Sequence, residues 1–96
     1  MNTKYETVLD AAVECARVGG VGALTRETIA KRAGMAPGLV PYYLGSMDNV
    51  RELVKQRAIL RKIYEIVGYF ILTDPNHSEY ISLQLKGETF KYLGES

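Results

Sequence analysis

Leu24-Thr25-Arg26-Glu27-Thr28-Ile29-Ala30-Lys31-Arg32-Ala33-Gly34-Met35-Ala36-Pro37-Gly38 reads as a short helix, a tight turn and the start of a second helix. Thr25 has the side-chain oxygen of a good N-cap, and Gly34 follows the last residue of the run Arg26 to Ala33. Met35-Ala36 makes the turn. Pro37 stands at the first position of the next helix, where its missing N–H costs nothing, and that helix runs to about Tyr43 before Gly45-Ser46.

Upstream, Thr3 and Glu6 have capping-box spacing, and Tyr5, Leu9, Ala12, Val13 and Ala16 recur at helical intervals until Gly19-Gly20. Val21 to Leu24 form the connection. Downstream, Ser46 caps a long fourth helix with Asp48 in its first turn, and the apolar pattern carries that helix to about Leu72. Beyond Asp74-Pro75-Asn76 the pattern alternates. Folding at Lys86-Gly87 would set Leu85 opposite Glu88, Leu83 opposite Phe90 and Ile81 opposite Tyr92, which predicts a β-hairpin. A fifth helix starting at Ser78-Glu79 is the alternative. The expected fold is mainly α: a three-helix helix-turn-helix head over residues 1–46, then a long helix and a short dimerisation element over 47–96.

A short helix, a turn and a second short helix suit DNA, because the second helix can enter the major groove while the first crosses the backbone. Thr25 and the free N–H groups beside it suit a phosphate oxygen, and Arg26 adds charge. Ala36, Pro37 and Gly38 are small enough to let the backbone approach base edges, leaving Leu39 to touch thymine methyl groups. Tyr42 and Tyr43 can reach bases or phosphates through their hydroxyls.

The stretch from Leu24 to Gly38 strongly resembles the signature of the TetR family of transcriptional regulators. Leu9-Asp10-Ala11-Ala12 looks like that family's first helix, and similarity continues through Tyr43-Leu44-Gly45-Ser46, so it covers roughly residues 5 to 55. Three positions depart from the family pattern. Pro41 stands in place of a recognition-helix tyrosine, Met47 in place of a phosphate-contacting lysine, and Ala36 in place of a capping serine or threonine. The resemblance implies a DNA-binding regulator. Larger relatives carry a helical domain after the head that binds ligands and dimerises. The remainder here is short, so no small-molecule effector is expected, and control falls to the protein's own concentration or to a protein partner.

Charge qualifies this picture, since the net charge is only +1. It is unevenly spread: residues 1–46 carry +1, residues 47–62 carry +3 and residues 63–96 carry −3. The run Arg51, Lys55, Arg57, Arg61 and Lys62 reads equally as a solvated helix face or a phosphate-tracking one. A single cysteine, Cys15, and a single histidine, His77, leave no disulfide framework and no metal-ligand cluster. No cofactor and no catalytic constellation is visible, so an enzyme is not expected. The N-terminal residues lack signal-peptide character and the densest apolar stretch, Ile63 to Leu72, is shorter than the roughly 20 residues that span a bilayer, so a cytoplasmic protein is expected.

The function expected is a dimeric repressor on an inverted-repeat operator in double-stranded DNA. Ile59, Ile63, Ile66 and Phe70 on helix four, with Ile81, Leu83, Leu85, Phe90 and Tyr92 of the tail, are the expected homodimer contacts. A protein-interaction module, such as an antirepressor or inhibitor with a degenerate helix-turn-helix, is the competing reading, and Pro41 and Met47 favour it.

Overall fold

The computed structural model describes residues 3–95. The chain divides into two compact units, one ending at Val54 and the other beginning at Lys55.

In the first unit, α1 (Thr3–Gly19) buries Val8, Leu9, Ala12, Val13 and Ala16, a helical stripe that turns inward while Asp10 and Arg17 face water. A single 3-10 turn, Val21–Ala23, leads to Leu24, which is also buried. Helix α2 (Arg26–Ala33) buries Ile29 and Ala30. Its end is closed by Gly34, whose φ of 72° lies in the left-handed region. From there the Met35 N–H reaches the Ala30 carbonyl at 3.0 Å and the Gly34 N–H the Lys31 carbonyl at 3.4 Å. This is a Schellman closure, and any residue with a Cβ is strained at Gly34.

The recognition element is split. Pro37–Leu39 form a 3-10 turn and α3 covers only Val40–Leu44. Pro41 explains the division: it falls in the first turn of α3, where its missing N–H would have no helical partner, whereas in the middle of one continuous helix its ring would clash with the preceding turn. Ser46 then caps α4 (Met47–Arg61), its Oγ accepting the Asn49 N–H at 3.1 Å. Val50 and Val54 are buried along it.

The long fourth helix expected to reach Leu72 instead stops at Arg61. Lys62 adopts φ 55°, the Ile63 N–H bonds the Ala58 carbonyl at 2.9 Å, and the Lys62 N–H bonds the Ile59 carbonyl at 3.4 Å. The closure is the one seen at Gly34, made here without glycine. A left-handed lysine costs roughly 1–2 kcal/mol, so packing must outweigh it. The packing is that of α5 (Tyr64–Thr73), whose Ile66, Val67, Gly68, Phe70 and Ile71 are buried.

The expected β-hairpin is not formed, and there is no strand among the described residues. The alternative helix is present as α6 (Leu83–Glu95), but it starts later than Ser78-Glu79, which lie in a 3-10 turn spanning His77–Glu79. Ser82 is the cap, accepting the Leu85 N–H on its Oγ at 3.1 Å. The inward residues are Ile81, Leu85 and Thr89, spaced four apart, whereas Leu83, which alternation placed with them, is 83% exposed. The period is therefore helical. Thr89, polar and fully buried, is satisfied locally, its hydroxyl donating to the Leu85 carbonyl at 2.7 Å. Helices α5 and α6 approach closely at Gly68, with Thr89 and Leu93 standing over its Cα.

The loop between α5 and α6 is tied by Asp74. Its carboxylate accepts the Tyr80 hydroxyl and, at 2.9 Å, the Asn76 N–H. Those bonds, the Tyr80 one foremost, hold the Asp74 carboxyl below the usual range. The Lys55 ammonium lies 4.0 Å from the same carboxylate and 4.1 Å from the centroid of the Tyr80 ring.

Gly87 separates the two readings of the tail. Within α6 it faces open space, so Gly87→Ala should stabilise the protein by about 0.5–1 kcal/mol, raising the thermal midpoint. In a hairpin turn the same change would lower it, because the glycine would then occupy positive φ.

Candidate nucleic-acid interface

Thr25 sits ahead of α2 in extended conformation, φ −137° and ψ 162°. Its Oγ1 accepts the Thr28 N–H at 3.1 Å, and the Thr28 Oγ1 accepts the Thr25 N–H at 3.1 Å. Two threonines thus make a reciprocal capping box. The bond to Thr28 leaves the N–H groups of Arg26 and Glu27 at the mouth of the helix, where the dipole favours an anion. Arg26 is exposed there, beside the cap. The Thr25 hydroxyl, expected to serve a phosphate, is engaged with its own helix in this structure.

Past the turn, Ala36, Pro37 and Gly38 are all exposed, and Ala36 gives no side-chain cap to the 3-10 turn it precedes. On α3 the alternation of in and out is set by two anchors. Val40 and Leu44 are fully buried, one turn apart, which turns Leu39 and Tyr42 outward. Tyr42 is 78% exposed. Tyr43 is half-buried, its ring edge-on to that of Tyr42 with 5.0 Å between centroids. The Tyr42 ring, on a five-residue helix, and Leu39, in the 3-10 turn before it, are thus held out in water.

Asn49 was not anticipated from the sequence. Its Nδ2 donates to the Leu44 carbonyl, the last of α3, at 2.7 Å. Gly45 between them has φ 79°, which favours glycine, and a Cβ there would press on the same Nδ2 at 3.2 Å. Thr28 was also missed as a capping partner. The available signals were Thr-x-x-Thr and Ser-x-x-Asn, weaker than the Ser/Thr-x-x-Glu pattern of a capping box.

Other polar groups of this unit are structural. Arg17 pairs with Glu14 and holds its carboxyl below the ordinary range, and Arg51 pairs with Asp48. Cys15 is half-buried between α1 and α2, its thiol donating to the Thr28 carbonyl at 3.5 Å. Burial pushes the thiol pKa up, which disfavours a reactive thiolate.

The model of the bacterial regulatory proteins of the tetR family matches residues 8–54, from the second turn of α1 to the middle of α4. Residues 8–54 are a TetR-family DNA-binding domain. No curated protein and no solved structure matches the chain. The TetR-type domain supports a DNA-binding transcriptional regulator. Among the described residues no helix is long and apolar enough to cross a membrane.

The expected dimerisation residues all lie in the second unit and fall into three groups. Ile66, Phe70, Ile81 and Leu85 are buried, Ile59 and Ile63 are half-buried, and Leu83, Phe90 and Tyr92 are exposed on α6.

The TetR-type capping box gives a direct stability test. Thr25→Ala should lower the unfolding free energy by about 1 kcal/mol, with Thr25→Ser retaining most of it, as read from urea denaturation midpoints. Equal midpoints for all three proteins would mean that the box contributes nothing.

Proposed function

We propose that this protein is a sequence-specific repressor that binds an inverted-repeat operator as a homodimer. The observation that carries the reading is the outward display of Leu39 and Tyr42 by an α3 whose opposite side is anchored by Val40 and Leu44, inside a TetR-family domain. Arg26 and the amides at the mouth of α2 would hold a phosphate and fix register. Ala36, Pro37 and Gly38 would let the backbone close on the groove, Leu39 would meet thymine methyls, and Tyr42 and Tyr43 would reach bases or phosphates. Thr25 serves this face by capping the helix that presents those amides. Such a regulator works in the cytoplasm, where the bacterial chromosome lies.

In this reading residues 1–46 contact DNA and residues 47–96 dimerise. Leu83, Phe90 and Tyr92 are the exposed contacts, Ile59 and Ile63 are partly covered, and Ile66, Phe70, Ile81 and Leu85 build the unit that carries the surface. Each apolar side chain buried between copies is worth roughly 1.5–3 kcal/mol, enough in sum to drive association.

The competing reading, an interaction module that occupies another protein, is favoured by the apolar character of Leu39 and Tyr42 and by the half-buried Met47 where a phosphate-contacting lysine would suit DNA. Salt separates the two. A DNA-binding protein should bind mixed-sequence DNA with an affinity that falls steeply with ionic strength, and an interaction module should not.

Selection of bound sequences from random DNA should enrich an inverted repeat whose half-sites lie about one helical turn, or a multiple of it, apart. A single unrepeated half-site would overturn the dimeric repressor. Phe90→Glu should shift the light-scattering mass from dimer toward monomer and weaken operator binding in parallel. Phe90 is exposed, so the subunit should stay folded. A Phe90→Glu protein that dimerises like the parent would exclude this face.

A further inference from the structure

We infer that Asn49 is a positioning residue for base reading: its side-chain amide fixes the C-terminal end of α3 and thereby the direction in which Leu39 and Tyr42 point. The inference rests on the DNA-reading role proposed above for α3. Asn49 touches no expected DNA contact and lies outside the family-typical set of phosphate-binding positions singled out in the sequence.

Helix α3 is weak on its own. Five residues make little more than one turn, and an isolated helix of that length is unstable in water. Leu39, ahead of it, provides no side-chain cap. At its far end the Gly45 N–H bonds the Pro41 carbonyl at 2.9 Å, while the Leu44 carbonyl is among the terminal acceptors that a helix leaves without an internal partner. Asn49 supplies that partner at 2.7 Å.

The tether is itself rigid. The Asn49 backbone N–H bonds the Ser46 Oγ at 3.1 Å, the Val50 N–H bonds the Ser46 carbonyl at 2.9 Å, and Val50 next to it is fully buried. Gly45 closes against the amide with no room for a Cβ without displacement. Two buried anchors, Val40 and Leu44, fix which side of α3 faces inward, Pro41 and Tyr43 are partly covered between them, and the Asn49 amide adds a tether at the helix end. A small rotation moves Tyr42, the most exposed of the reading side chains, furthest.

Two substitutions isolate the role. Asn49→Ala removes the donor. Asn49→Asp keeps the shape and puts a negative charge in the first turn of α4, where the dipole favours it, yet offers no N–H to the Leu44 carbonyl. A residue that merely stabilised α4 would therefore tolerate aspartate. In the proposal both variants lose roughly three- to tenfold in the ratio of operator affinity to mixed-sequence DNA affinity, the worth of one oriented hydrogen bond. The salt dependence of mixed-sequence binding stays as in the parent, because the phosphate contacts are untouched. Independently of DNA, amide exchange at Gly45 should quicken in both variants, while exchange at the buried α1 residues Ala12 and Val13 stays unchanged.

The aspartate variant decides the matter. If it retains the parent's operator preference and the parent's Gly45 exchange rate, the positioning role is overturned. If the parent itself selects no sequence from random DNA, the repressor reading fails, and the exchange arm alone then judges Asn49: faster exchange confined to Gly45 upholds the tether, and unchanged exchange refutes it.

Discussion

Helix α3 is too short to hold itself, and this constraint organises the first unit. Its shape has to be imposed from outside, by burying Val40 and Leu44 and by bonding the carbonyl left open at its end. Buried apolar side chains on α1, α2 and the start of α4 supply the receptacle. The capped ends of α2 and α4 supply rigid walls, each with a hydroxyl closing its first turn. What results is a surface element whose outward side is set by the burial of Val40 and Leu44.

Two helix ends in this chain share one physical pattern with two chemistries. At Gly34 and at Lys62 the helix ends in a left-handed residue and a Schellman pair of hydrogen bonds. Glycine makes the first closure at no steric cost, so it can be located from composition. Lysine makes the second only because the following apolar segment gains more by packing as α5 than by continuing α4. Ile66, Val67 and Ile71 are buried in that arrangement, and the lysine side chain additionally meets Glu88 at 3.3 Å. An exposed pair of that kind adds at most about 1 kcal/mol, so burial and not charge decides the break.

In the second unit aromatic rings serve as spacers for polar groups. Tyr80 supports the Lys55 ammonium on its face and gives its hydroxyl to Asp74, so one ring joins the base of α4 to the loop after α5. Tyr64 and Tyr92 stack between α5 and α6 with 5.0 Å between centroids, and the Tyr92 hydroxyl reaches Glu65 at 3.4 Å. Leu83 and Phe90 have no such dual role. Like Leu60 and Leu72 of the same unit, they stand exposed.

The sequence by itself determined the helix-turn-helix. Local chemistry was enough there: Thr25 and Ser46 cap, Gly34 closes, Pro37 opens, and a 3.6-residue stripe from Leu9 to Ala16 marks the buried side of α1. It also singled out Arg26, Leu39 and Tyr42, which are exposed in the structure. Tertiary structure decided the rest. Nothing local at Lys62 signals a helix end, because the cost of its φ is offset by contacts formed far along the chain. Alternation of Ile81, Leu83 and Leu85 suggested a strand, but Ile81, Leu85 and Thr89 are the residues that pack, and only the presence of α5 distinguishes the two periods. The amide of Asn49 likewise acquires its role only when Leu44 is brought beside it, since a hydrogen bond depends on where two groups meet and not on which residues carry them.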